Sequence, residues 1–268
     1  MNRLLLFLCL LGQTDAKPAT PAKAPTPLDQ FKQEAADYTI HLNDAGHSKL
    51  VLDPKPVLHW TNPARTAEDG AVFVWLNRGR PEVIGSTFTY KIQDVRRKHE
   101  LHSLSTSALT ADFRGKLAWK PRQPGLKFAP VPGAPVPAEN SRMRLVQMKA
   151  LTRDFSASIK TDDGETAELR LLPQPLYRYE PSGGEVLDGA LFSFASGTDP
   201  EVLLLIEARR EKDAWRWQYA CARFNYAKLT ASFKGEVVWS VEPDPAQALH
   251  DFGDTIHVEK IYTSYHIN

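Results

Sequence analysis

The sequence predicts an α+β fold of two sequence-related modules, each with one helix and about five antiparallel strands. Residues 50–83 recur without a gap as residues 169–202, and 11 of these 34 positions are identical. Each copy follows an amphipathic helical pattern and precedes alternating, strand-like patterns. Self-similarity at a fixed shift indicates an internal duplication. The identical pairs begin at Leu50, Leu52, Pro54, Pro56, Asp69, Gly70, Ala71, Phe73, Pro81, Glu82 and Val83.

The start of the chain is typical of an export signal. Arg3 precedes an apolar run over residues 4–11, and small residues suited to cleavage follow at 14–16. We therefore expect residues 1–16 to be a signal peptide and the protein to be secreted or periplasmic. Residues 17–27 alternate Pro, Ala, Thr and Lys, a composition typical of an extended linker.

Composition indicates a globular protein and excludes some partners. The chain is 42% hydrophobic and 24% charged, with a formal net charge of +1. Its Lys and Arg residues form no basic run, so we expect no nucleic-acid partner. No later apolar run reaches the roughly 20 residues of a transmembrane helix. Once the signal is cleaved, Cys221 is the only cysteine and has no disulfide partner within the chain.

Module one is predicted to span residues 28–119. Thr26 can cap a helix that has Pro27 at its first position. An apolar stripe with spacings of 3 and 4 follows at Leu28, Phe31, Ala35, Tyr38 and Leu42. The predicted strands are Lys49 to Trp60, interrupted by Pro54 and Pro56, then Ala71 to Leu76, Glu82 to Ile92, His99 to Ser105 and Leu109 to Trp119. The Asp-Gly pair before Ala71 reads as turn chemistry.

One face of the most apolar strand is predicted to lie under the helix. Residues two apart share a strand face. In the two copies this rule groups Ala71 with Phe73 and Trp75, and Ala190 with Phe192 and Phe194.

Module two is predicted to span residues 140–268, after a linker at 120–139 that contains six prolines. A second helical stripe runs through Leu145, Met148, Leu151, Phe155 and Ile159. The strand pattern then repeats, and Leu229 to Trp239 matches Leu109 to Trp119 at a shift of 120. The tail from Thr255 to Ile267 has no counterpart in module one and is predicted to be a strand that closes a sheet edge.

This element order resembles that of cystatin-like and nuclear-transport-factor-like folds, in which a curved sheet wraps a helix. The alternatives are one continuous barrel and two packed sheets. The phrases Asp188-Gly-Ala-Leu-Phe and Gly197-Thr-Asp-Pro-Glu201 also resemble uncharacterised secreted bacterial proteins. That resemblance implies no activity.

No strong catalytic or metal-binding motif is present in the sequence. The candidate acid-base residues are Glu100, His102 and Glu207. In a strand Glu100 and His102 share a face, and His99 points away, so we expect no metal site there. The alternative for these residues is a hydrogen-bonded strand face. A Glu207 ion pair with Arg178 or Arg209 would be structural more often than functional.

Ligand-binding candidates come from aromatic and charged residues near the strands. They are Trp60, Tyr177, Arg178 and Tyr179, for which core packing is the alternative. A site present in only one module would lie where the copies differ, as at His59 against Arg178 and His102 against Cys221.

Together these features favour a secreted, non-catalytic binding or envelope-associated protein that needs no cofactor. Its partner is unknown, and an envelope component or a small molecule fits this interpretation. The alternative is a small-molecule hydrolase or isomerase with an acid-base site in one module.

Overall fold

The computed structural model of the protein describes residues 24–62, 67–91, 95–161 and 163–267. The predicted signal peptide at 1–16 and most of the linker at 17–27 lie outside the described residues. Two α-helices occur in the described part of the chain. Neither has both the length and the apolar character needed to cross a membrane.

The first half, residues 24–119, contains one helix and eight described strands. They are α1 (Pro27–Ala36), β1 (Tyr38–Leu42), β2 (Val51–Leu52), β3 (Leu58–Asn62), β4 (Ala67–Asn77), β5 (Arg80–Lys91), β6 (Val95–Ser103), β7 (Leu109–Phe113) and β8 (Lys116–Trp119). A short strand, β9 (Ala129–Pro130), lies in the proline-rich connection. The capping of α1 is as predicted, because the Thr26 side chain accepts a hydrogen bond from the Asp29 amide.

The second half, residues 140–267, repeats this order and adds a C-terminal extension. Its elements are α2 (Ser141–Thr152), β10 (Phe155–Lys160), β11 (Thr166–Leu171), β12 (Tyr177–Tyr179), β13 (Val186–Ser196), β14 (Asp199–Glu211), β15 (Ala214–Arg223), β16 (Leu229–Phe233), β17 (Glu236–Val241), a 3-10 helix (Pro245–Ala248) and β18 (Tyr262–Ile267).

The strands form three sheets. One has the order β1-β7-β8, and a second has the order β18-β6-β5-β4-β2, with β3 also paired to β4. The third has the order β17-β16-β10-β11-β13-β14-β15-β9, with β12 also paired to β13. The C-terminal strand β18 pairs antiparallel with β6 of the first half and so lies at the edge of its sheet. This strand begins at Tyr262, later than the sequence pattern predicts.

The predicted fold class, α+β with two modules of one helix and about five strands, is wrong. Strands hold 52% of the described residues and helices 11%, so this part of the protein is mostly β. Runs predicted as single strands are divided by their turn residues. Pro54 and Pro56 separate β2 from β3, and Arg114 and Gly115 fold β7 back onto β8. Arg114 and Gly115 both have positive φ, at 51° and 74°, as a two-residue type I′ hairpin requires.

The two helices are also shorter than their apolar stripes predict. Tyr38 and Leu42 lie in β1, and Phe155 and Ile159 lie in β10. A spacing of four keeps residues on one face of a helix and equally on one face of a strand. The ladder of β1 with β7, and of β10 with β16, therefore decides the conformation of these residues.

Each helix packs on the outer face of a large sheet, as predicted. Phe31 and Ala35 of α1 share a core with the β4 residues Ala71, Phe73 and Trp75. On the other side of the molecule, α2 buries Met148 in the core that holds Ala190, Phe192 and Phe194 of β13. The small alanine in each strand leaves space for the helix.

The face of β4 that points away from α1 packs against β14 of the second half. Val72 and Val74 of β4 lie in one core with Leu203 and Leu205 of β14. Side chains alternate between the two faces of a strand, so β4 and β14 each contribute to two cores. The two halves therefore form a stack of helix, sheet, sheet and helix with an apolar layer at its centre.

Candidate functional site

A cavity of about 310 Å³ lies where the two halves meet the C-terminal strand. This volume is at the lower end of the range for ligand pockets, which begins at about 300 Å³. The cavity is lined by His102 of β6, by Cys221, Ala222 and Arg223 of β15, by Trp239 and Val241 of β17, by Tyr262 of β18, and by Gly125, Asp244, Lys260 and Ile261 of the connections.

Gly125 keeps the connection after β8 close to β6. A Cβ atom at this position would lie 1.7 Å from the carbonyl oxygen of Ser103. The Gly125 amide donates a hydrogen bond of 2.8 Å to the Ser105 carbonyl. This wall of the cavity therefore requires glycine.

His102 presents a hydrogen-bond acceptor. Its Nδ1 lies 2.8 Å from the carbonyl oxygen of Ser103, which can only accept, so Nδ1 carries the proton. Burial lowers the pKa of His102 to about 4, with the Arg223 charge acting in the same direction. The ring is therefore neutral near pH 7, and Nε2 holds a lone pair. Among the described residues, the ring takes part in the Nδ1 hydrogen bond and in none through Nε2.

The Arg223 guanidinium is held by the backbone through three of its five N–H groups. Nε donates to the Asn225 carbonyl at 2.8 Å, Nη1 to Glu242 at 3.2 Å and Nη2 to Ala227 at 2.9 Å. The guanidinium carbon also lies 5.4 Å from the centre of the Tyr262 ring. Arg223 thus fixes the turn after β15 and supports one wall of the cavity.

The remaining charged residues of the lining pair with each other. Lys260 Nζ forms a salt bridge with Asp244 Oδ2. Burial acts to raise the pKa of Asp244, but hydrogen bonds from Lys260 and Gln247 outweigh it and lower that pKa. Asp244 is therefore favoured as a carboxylate beside Lys260.

Glu100 does not line the cavity but bonds to Tyr262, which does. The Tyr262 hydroxyl donates to Glu100 Oε1 at 3.0 Å. Burial raises the pKa of Glu100 to about 7, against the opposing effect of Lys98. The structure thus brings the predicted candidates Glu100 and His102 to the same region, but only His102 lines the cavity.

His99 faces the opposite side of β6, in the core beneath α1. Its Nδ1 lies 2.7 Å from the Tyr38 hydroxyl and its Nε2 lies 3.0 Å from Glu34 Oε2. Tyr38 continues this chain to the Tyr265 hydroxyl. Among the described residues, no cluster of three His, Cys, Asp or Glu side chains is arranged to hold a metal ion.

Glu207, the third acid-base candidate, does not line the cavity. It is fully buried between the halves and accepts from Arg80 Nε at 3.0 Å, from Tyr179 at 2.6 Å and from Arg209 at 2.5 Å. Arg80 also contacts Glu82, at 3.1 Å. This network joins the two halves, so Glu207 and its partners stabilise the fold and do not form part of the cavity.

Trp60 and Tyr179, predicted as ligand contacts, pack instead on the glycines of the repeated Asp-Gly pair. A Cβ atom at Gly70 would lie 2.5 Å from the Trp60 ring, and one at Gly189 would lie 2.4 Å from the Tyr179 ring. The Asp-Gly pairs lie inside β4 and β13, so the turn interpretation is wrong. Tyr177, the neighbour of Tyr179, stacks on it with ring centres 6.2 Å apart.

Arg178 and His59 make equivalent contacts in the two halves. Arg178 Nη2 lies 2.7 Å from Asp188 Oδ2, and His59 forms a hydrogen bond with Asp69. Arg144 of α2 also donates to Asp188, at 2.8 Å. The aspartate thus keeps a side-chain partner in both halves, although the partner is His59 in one and Arg178 in the other. Neither residue lines the cavity.

Cys221 shares the cavity lining with His102 but is chemically inert there. Burial alone raises the pKa of the thiol to about 12, so the thiolate is not populated near pH 7. The side chain belongs to the core beneath α2. This position contributes shape to the cavity and no nucleophile.

Sequence reasoning missed most of the cavity, including Trp239, Tyr262 and Lys260. One signal was present, because Trp239 matches Trp119 at a shift of 120. Trp119 is fully buried and donates from Nε1 to the Lys260 carbonyl at 2.6 Å, whereas Trp239 is only partly buried. The C-terminal extension covers the first tryptophan and leaves the second beside the cavity.

No protein-family model, curated protein or solved structure matches this chain. The resemblance of its element order to cystatin-like and nuclear-transport-factor-like folds therefore stays a prediction.

Proposed function

We propose that this chain is a secreted, non-catalytic protein that binds a small molecule in the cavity between its halves. The proposal rests on how the polar side chains that line the cavity are already paired. Arg223 donates to three carbonyls, Lys260 pairs with Asp244, and Cys221 is buried as a thiol. The lining thus combines aromatic and apolar walls with one open acceptor, at His102. This is a composition suited to holding a ligand.

The proposal of secretion rests on the sequence of residues 1–16. Expression of the full chain in a bacterial host tests it by the intact mass of the product. A mature protein that begins at Lys17 and accumulates outside the cytoplasm supports export. An uncleaved cytoplasmic product would contradict it.

The proposal that the halves arose by duplication is supported by matched contacts. Asp69 and Asp188 each bind a cationic or imidazole side chain 10 residues earlier in the chain. The glycine after each of them underlies an aromatic ring. In this proposal the cavity is a later difference between the halves, created by the C-terminal extension of the second.

A pair of matched substitutions tests ligand binding. Val241 lines the cavity, and Val237 lies on the same strand with its side chain largely exposed. We expect Val241→Trp to fill the cavity and Val237→Trp to leave it open. Binding of small aromatic probes such as phenol, followed by the NMR signal of the Trp239 indole N–H, should be lost only in Val241→Trp. The absence of any perturbation of Trp239 in the unmodified protein would contradict the proposal.

One observation favours an alternative, an acid-base enzyme. Glu100 has a pKa of about 7 and accepts a hydrogen bond from the cavity residue Tyr262. A group that titrates near neutral pH can serve as a general acid or base. Assays with 4-nitrophenyl acetate would separate the two functions. Turnover that Glu100→Gln abolishes while phenol binding persists would establish the enzyme, whereas the binding function predicts no turnover above that of the Val241→Trp variant.

A further inference from the structure

We propose that the ligand is a small neutral molecule with a flat apolar body and a hydroxyl or N–H group that donates a hydrogen bond to His102 Nε2. This inference rests on the proposed binding function and specifies the chemistry of that site.

The tautomer of His102 determines which polar group a ligand can present. Because Ser103 holds the proton on Nδ1, the other ring nitrogen can only accept. Burial that lowers the pKa of His102 to about 4 keeps the ring from changing this role near neutral pH. A hydroxyl or N–H matches Nε2, whereas an ether oxygen or a carboxylate places a second lone pair against it.

The walls of the cavity determine the body of the ligand. Trp239 and Tyr262 supply aromatic surface, and Val241, Ile261 and Ala222 supply aliphatic surface. Flat rings stack favourably on such aromatic groups. The cavity of about 310 Å³ suits a body of one or two rings.

The charged residues of the lining disfavour an ionic ligand. A carboxylate is best held by two parallel N–H groups of an arginine. Three of the five N–H groups of Arg223 already donate to carbonyl oxygens, which leaves one on each terminal nitrogen and weakens Arg223 as a partner for a carboxylate. Lys260 is neutralised by Asp244, and a cationic ligand would meet the positive charge of Arg223. Glu100 does not line the cavity, and its carboxyl accepts a hydrogen bond from Tyr262.

Three probes of similar size test the inference in the unmodified protein. Phenol donates a hydrogen bond, anisole has the same oxygen without the proton, and benzoate carries a negative charge. We expect phenol to bind about five- to tenfold more tightly than anisole, the effect of one hydrogen bond, and benzoate to bind most weakly. Titrations followed at the Trp239 indole N–H give the three dissociation constants.

The variant His102→Phe removes the acceptor and keeps a ring. In this variant we expect the preference for phenol over anisole to disappear, because the apolar contribution of each probe is unchanged. If the variant does not fold, the comparison in the unmodified protein decides alone. Equal binding of phenol and anisole, tightest binding of benzoate, or a phenol preference that survives in folded His102→Phe would overturn this inference and leave the binding function intact. Failure of all three probes to reach the cavity would instead overturn the proposed function.

Discussion

At the scale of single residues, burial moves two neighbouring pKa values in opposite directions. His102 and Glu100 lie two positions apart on β6 and face the same side of the strand. Burial disfavours the charged form of each group, so the pKa of the imidazole falls and that of the carboxyl rises. The sequence predicted their shared face from strand periodicity. It could not predict the burial, which depends on β18 and β15.

His102 should make the protein sensitive to mild acid. In the unfolded chain it binds a proton near pH 6.5, but in the folded protein only near pH 4, so folding stability falls as the pH drops through this window. At pH 5 the loss should be about 2 kcal/mol relative to pH 8. Urea unfolding of His102→Gln should lack this component, while the exposed control His47→Gln should retain it. Identical pH profiles for His102→Gln and the unmodified protein would contradict the burial of His102.

Glu100 should have the opposite effect. Its pKa is raised from 4.5 to about 7, so the stabilisation is present below pH 4.5 and is lost as the pH rises towards 7. With allowance for the partial exposure of Glu100, the change between pH 5 and pH 8 should be about 1–2 kcal/mol. Relative to the unmodified protein, Glu100→Gln should therefore gain stability at pH 8. The control Glu168→Gln, at an exposed strand position, should gain none, and a gain equal in both variants would refute the assignment.

At the scale of elements, the sequence predicted the position of chain segments in the fold better than their secondary structure. The pattern of Ala71, Phe73 and Trp75, matched in the second half by Ala190, Phe192 and Phe194, identified the strand face beneath each helix, because residues two apart share a face. The stripe that continues to Tyr38 and Leu42 was ambiguous, since a spacing of four fits both a helix and a strand. Pairing with β7 resolved it, and that contact lies about 70 residues away in the chain.

The repeated Asp-Gly pair provides a test at this scale. Gly70→Ala and Gly189→Ala should each destabilise the protein by about 1–3 kcal/mol, because the new methyl group overlaps the ring of Trp60 or Tyr179. Thermal unfolding measures the effect. Gly46→Ala is the matched control, since a Cβ atom there meets only ordinary contacts at 3.6 Å and beyond. Equal stability of all three variants would mean that the aromatic rings do not require these glycines.

At the scale of the whole molecule, two features join the halves. One is the apolar layer between β4 and β14, and the other is the buried network of Arg80, Glu82 and Glu207. Glu207 was a catalytic candidate in the sequence because a carboxylate in an apolar strand is costly without a partner. Its partner Arg80 lies 127 residues earlier in the chain, and no local pattern indicates such a pair.

Breaking this network from one side should be severe. Glu207→Leu leaves the Arg80 guanidinium buried with fewer partners, so we expect a loss of about 3–5 kcal/mol. The double variant Arg80→Met with Glu207→Leu should lose less than the sum of the single variants, because neither member of the Arg80–Glu207 pair is then left buried without the other. Both halves should unfold in one calorimetric transition. Strictly additive losses, or two separate transitions, would contradict the coupling of the halves.

The cavity also belongs to this scale, because its lining comes from four strands of two sheets and from the C-terminal extension. His102 could be selected from the sequence because it differs from Cys221, its match in the other half. Tyr262 and Lys260 could not be selected from the sequence, because their proximity to His102 depends on the return of β18 to β6.

The nitrogen-15 NMR signals of the His102 ring test whether Nε2 is an open acceptor in a ligand cavity. At pH 7 we expect Nε2 to resonate as an unprotonated nitrogen and Nδ1 as a protonated one. Saturating phenol should then shift the Nε2 signal upfield, the direction for a nitrogen that accepts a hydrogen bond, and anisole should not. A protonated Nε2, or an Nε2 signal that phenol leaves unchanged, would show that His102 does not accept a hydrogen bond from a ligand.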